Sequence, residues 1–129
     1  MLSKRAFLAA SAAIALSRPA LAAAPMIPFT AAAFAAAQKA GKPILVAIHA
    51  DWCPTCQAQA PIIDKLGAQA DFKDFVVFRV DFDAQKDVVR SLGARTQSTL
   101  IVFKGAKEVS RTVGSTDKPG IEAMLRAGI

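Results

Sequence analysis

The chain has only two cysteines, Cys53 and Cys56, one histidine, His49, and no proline between Pro61 and Pro119. One cysteine pair excludes a small scaffold stapled by several disulfides. Two cysteines and one histidine also fall short of the four ligands of a tetrahedral structural zinc site. Basic residues outnumber acidic ones 16 to 10 and the net charge is +6. No Lys/Arg run gathers that charge into a stripe, so it reads as solvated surface and not as a nucleic-acid footprint. No apolar run reaches the roughly 20 residues of a membrane-spanning helix. Internal repeats and low-complexity tails are absent as well.

What is present begins with a leader. Lys4 and Arg5 precede the apolar run AFLAASAAIAL (6–16), and SRPALA (17–22) follows with small residues at Ala20 and Ala22. This is the pattern of a signal peptide over residues 1–22, with cleavage expected after Ala22 and, as a second choice, after Ala24. SKRAFL (3–8) approaches a twin-arginine export motif, with Lys4 where the first arginine would stand. The leader holds Lys4, Arg5 and Arg18 and no acid, so its removal lowers the net charge by three, to +3. About 105 residues remain, enough for one domain with a real core. The expected location is the periplasm, without membrane insertion after cleavage, where disulfides form and persist.

Residues 23–28 read as a proline-broken linker. Thr30 caps a first helix, alanines propagate it and Gly41 ends it. PILVAIHA (43–50) and FVVFRVDF (75–82) read as buried strands. Between them the cysteine segment opens a helix to about Ala70, with Pro54 in its first turn and a kink at Pro61. Asp83 is expected to cap a short helix ended by Gly93. STLIVF (98–103), the turn KGAK (104–107) and EVSRTV (108–113) form a hairpin, and Ser115 to Asp117 cap a last helix. Strands separated by helices imply parallel pairs, and the hairpin adds an antiparallel one.

WCPTC (52–56) at the junction of a strand and a helix, Pro61 eight residues after Cys53, and TLIVFKGAKEVSRTVG (99–114) as a final hairpin are found together. With this order of elements, residues 29–129 resemble a thioredoxin-fold protein. The resemblance implies one α/β domain, a central mixed β-sheet flanked by helices. It also implies thiol–disulfide exchange with protein or peptide disulfides, with no cofactor beyond a redox-active Cys53–Cys56 disulfide.

Such exchange needs one thiolate to attack and a second thiol to resolve the mixed disulfide. At a helix N-terminus, Cys53 has free amides and the positive end of the dipole to stabilise its thiolate. Cys53 is therefore the expected nucleophile and Cys56 the more buried resolving thiol. Trp52 is expected to shield the pair and contribute to docking. Pro54 and Thr55 lie between the cysteines and would modulate them.

Three positions depart from the family pattern. Ser98 stands where the family carries a cis-proline, and a cis bond before a non-proline costs about 2.5–4 kcal/mol. A trans Gln97–Ser98 bond and an altered loop are expected. In the family this loop pairs with the substrate backbone, a role that would pass to Gln97, Ser98 and Thr99, with the Ser98 hydroxyl also able to reach a cysteine sulfur. Ala47 stands where thioredoxins bury a carboxylate that moves the resolving thiol's proton. His49 replaces an aromatic residue four positions before Cys53, as a modulator of its thiolate or a proton acceptor. By the same resemblance Asp51 and Arg79 lie near this end, Asp51 opposing the thiolate and Arg79 favouring it.

The leading expectation is an exported, monomeric oxidoreductase, acting as a reductase fed by a membrane-bound electron donor. The alternative is a soft-metal (copper) carrier using His49, Cys53 and Cys56, and a third possibility is a redox-inactive interaction module.

Overall fold

A computed structural model describes residues 26–129, so the expected leader and residues 23–25 lie outside the described residues. Five strands form one sheet in the order β1-β3-β2-β4-β5. They are β1 (Met26–Pro28), β2 (Pro43–His49), β3 (Val76–Asp81), β4 (Thr99–Lys104) and β5 (Lys107–Val113). The helices are α1 (Ala31–Lys39), α2 (Pro54–Gly67), α3 (Lys86–Ser91) and α4 (Lys118–Arg126). β2 lies in the centre of the sheet and is buried on both faces from Ile44 to Ile48. Its unbroken apolar run follows from that position, since both faces are covered by helices.

The two faces hold two cores. Ile44, Val46 and Ile48 of β2 join Phe78, Ile101 and Phe103 on one side. There Phe34 of α1 packs with ring centroids 5.9 Å from Phe78 and 5.2 Å from Phe103. Leu45 and Ala47 face the other way, against Ile63 and Leu66 of α2 and Ile121 and Leu125 of α4.

Four sequence expectations are corrected. Residues 26–28 are not linker: they form β1 and pair in parallel with Val77, Phe78 and Arg79 of β3. Three residues ending in proline satisfy an edge position, where proline's missing N–H costs least. β4 lies antiparallel beside β2, not parallel to β3. The segment between β3 and β4 does not cross the length of the sheet, so the chain re-enters from the end it left. The cysteine helix stops at Gly67, three residues short of Ala70, and a 3-10 turn (Ala70–Phe72) follows that fully buries Phe72. Asp83 does not cap α3, whose N-cap is Gln85. Asp81 Oδ1 instead accepts the amides of Asp83 and Ala84, both at 2.9 Å, and this turn delays the helix by two residues.

Other punctuation has the expected form. Thr30 Oγ1 accepts the Ala33 amide at 3.1 Å, and Asp117 Oδ2 the Gly120 amide at 3.0 Å. Among the described residues, no helix is long and apolar enough to cross a membrane.

Candidate active site

The site is built where β2 ends. After His49 the chain turns, with the Cys53 amide bonded to the Ala50 carbonyl at 3.1 Å. Cys53 becomes the N-cap of α2 in extended conformation (φ −89°, ψ 111°), and Pro54 occupies the first turn, where no amide donor is needed. The Cys53 sulfur accepts the Cys56 amide at 3.2 Å. It thus takes one of the donors a helix leaves unsatisfied at its N-terminus.

Both cysteines are free thiols and buried, with Ala50 and the ring of Phe82 packed against them. The Cys56 sulfur lies 3.9 Å from the Ile48 carbonyl. Burial pushes the Cys56 thiol above its ordinary range, and its hydrogen bond and like charge with Cys53 add to this, while the amides of Ala50 and Ser98 pull the other way. A raised folded value favours the neutral thiol, so this contribution to stability is present below the unfolded value and lost as pH rises through the folded one. Alkylation of Cys56 by iodoacetamide should therefore be slower than that of a free cysteine peptide at pH 8. It should accelerate only in the alkaline range, which peptide mapping after timed labelling checks.

Ser98 is the one non-glycine residue with positive φ among the described residues, at 60°, and no described peptide bond is cis. Its left-handed backbone starts β4 one residue later than STLIVF suggests. Its amide donates to the Ile48 carbonyl at 2.7 Å, and its carbonyl accepts from the Gly114 amide at 3.0 Å and from Gln59 Nε2 at 3.2 Å. The Ser98 amide and carbonyl thus both have partners within the chain. Its hydroxyl makes no hydrogen bond to either sulfur. Thr99 is buried in β4, its hydroxyl donating to the Thr96 carbonyl at 2.8 Å. Half-buried Gln97 makes no backbone–backbone hydrogen bond among the described residues.

Gln59 is a residue the sequence reading missed. It is 3% exposed and donates from one amide nitrogen to two carbonyls, Ser98 at 3.2 Å and Ser115 at 2.8 Å. It thereby ties the loops before β4 and after β5 to the cysteine helix. A signal existed: the buried stripe of α2 runs Cys56, Gln59, Ile63, Leu66, and an amide on an apolar stripe needs partners.

Trp52 is 59% exposed, and its indole N–H donates to Asp83 Oδ2 at 2.8 Å. His49 turns to Asp51, with Nε2 at 3.0 Å from Oδ1, and Arg79 lies 3.5 Å from the same oxygen. Asp51 thus stands between His49 and Arg79. Among the described residues, no three His, Cys, Asp or Glu side chains gather to hold a metal ion. Ala47 packs in the core with Ile63 and Leu66 of α2.

The comparisons agree with this architecture. The profile of the thioredoxin family matches residues 25–127. A thioredoxin of Alicyclobacillus acidocaldarius is 32% identical over 96 residues, covering 74% of this chain and 90% of that one. Thioredoxin-1 of Saccharomyces cerevisiae is 35% identical over 86 residues, covering 67% and 82%. The crystal structure of Trxlp from Edwardsiella tarda superposes with a TM-score of 0.76 at 39% identity, covering 78% of this chain and 98% of that one. The chain belongs to the thioredoxin family and is a thiol–disulfide oxidoreductase acting on protein disulfides.

Proposed function

We propose that this thioredoxin-family chain is exported to the periplasm and works there as a monomeric reductase of protein disulfides, recharged by a membrane-bound electron donor. The leader pattern over residues 1–22 supports export. The observation that carries the chemistry is the Cys53 sulfur at the N-cap of α2, accepting the Cys56 amide at 3.2 Å, with the neutral Cys56 thiol one turn behind it.

In the forward direction the Cys53 thiolate attacks one sulfur of the substrate disulfide. The substrate S–S bond breaks, a mixed disulfide forms, and the departing thiolate takes a proton. Cys56 then loses its proton and attacks the Cys53 sulfur, releasing the second substrate thiol. The substrate gains two electrons and the protein leaves as the Cys53–Cys56 disulfide, which the donor's dithiol reduces again. With Ala47 where a carboxylate would stand, the Cys56 proton passes to water or to the departing thiolate. The backbone groups of Gln97, unpaired among the described residues, take the substrate strand.

The decisive measurement is the equilibrium potential of the pair in glutathione buffers. A value near about −270 mV is expected for a reductase. A value near about −120 mV would make the protein an oxidant of folding chains, and failure to form a reversible disulfide would sink the reading.

A further inference from the structure

We propose that a groove beside the dithiol docks acidic segments flanking the substrate's disulfide, with Lys86 and Arg95 setting substrate choice. The inference rests on the disulfide-exchange reading above and names the class of substrate it serves. The groove has a volume of about 470 Å³, and its floor is apolar, made by Phe82, Val89 and Ala94. Phe82 also packs against Ala50, Cys53 and Cys56, so groove and dithiol share a wall. A chain bound in the groove therefore lies across Phe82 from the buried thiols.

The rim is cationic. Lys86, Arg90 and Arg95 stand on it, against a single acid, Asp83. Asp83 is occupied by the Trp52 indole, and Arg90 is paired with Asp87. Lys86 and Arg95 are exposed and enter no ion pair among the described residues. Two uncommitted cations over an apolar floor complement a segment that presents an apolar side chain between carboxylates. Gln97, whose backbone is unpaired, lies two residues beyond Arg95. A strand paired there is led along this rim.

The test uses three peptide disulfides that differ only in their flanks: Asp/Glu, Ser/Gly or Lys. Each is mixed with the reduced protein, and the single-turnover rate is followed by the loss of free thiol. Exposed ion pairs are individually weak and screened by salt. The acidic peptide is expected to react roughly tenfold faster than the lysine peptide at low ionic strength, narrowing to within about twofold at 1 M salt. The double substitution Lys86→Glu/Arg95→Glu should reverse the order. Should that variant fail to fold, the salt dependence of the unaltered protein still decides. Equal rates for the three peptides, or faster reaction of the lysine peptide, would overturn the proposal. Failure of every peptide and of glutathione disulfide to react would overturn the exchange chemistry itself, and the groove's role with it.

Discussion

Replacing Cys56 with serine is expected to convert the protein from a catalyst that turns over into a covalent trap. Cys53 still attacks, and the substrate remains attached through a mixed disulfide because the resolving thiol is gone. The size of the effect follows from proximity. The Cys53 sulfur sits 3.2 Å from the Cys56 amide, so the second sulfur is delivered within one helical turn. Well-oriented intramolecular reactions reach effective concentrations of about 10⁵ M or more. Even a small part of that advantage over millimolar external thiol means a loss of at least about 10³-fold in turnover. Insulin reduction should report this loss, while a non-reducing gel shows a stoichiometric adduct that dithiothreitol releases. Cys53→Ser should lose turnover equally and form no adduct. An adduct on Cys56 in that variant, with none on Cys53 in the other, would reverse the assigned roles.

The cysteine pair was the most legible part of the site because its chemistry needs only local structure: a strand end, a helix start and two thiols one turn apart. Pro54 marked the first turn of that helix, and the unbroken apolar run of β2 marked its central place in the sheet. Features that depend on distant chain were harder to read. Met26–Pro28 carries no strand pattern of its own, and β3 makes it a strand by lying beside it. The direction of β4 depends on which end of the sheet the chain re-enters after α3, which is set by its pairing with β2 and not by any local pattern. His49 looked like a partner for Cys53 by sequence distance, and the partner its ring meets in the fold is Asp51, at 3.0 Å. Ser98 was legible as a departure from the family pattern. Its left-handed backbone was not, because only the carbonyl and amide partners from β2, α2 and the Gly114 turn hold it there.

Those partners lead to the second large effect, the substitution Gln59→Leu. A left-handed backbone costs a non-glycine residue about 1–2 kcal/mol, and Ser98 persists in it because its surroundings fix it. Gln59 is central to that fixation. Leucine fills a similar volume on the apolar stripe of α2, so little is lost in packing. The two carbonyls fare differently. Ser98 O keeps the Gly114 amide at 3.0 Å, whereas Ser115 O loses the donor that approached to 2.8 Å. The Ser115 carbonyl is only part-buried, so its loss falls at the low end of the penalty for an unsatisfied acceptor, about 1 kcal/mol, which for a domain of this size lowers the melting temperature by roughly 4–8 °C. A thermal melt of the reduced protein measures it. Ser98→Gly separates the causes: it relieves the backbone and keeps the Gln59 bonds, so it should raise the melting temperature by a few degrees. Made on top of Gln59→Leu, it should recover only the backbone part of the loss. If Gln59→Leu melts within a degree of the parent, the clamp contributes nothing to stability. Ser98 must then be held by its bonds to Ile48 and Gly114 alone.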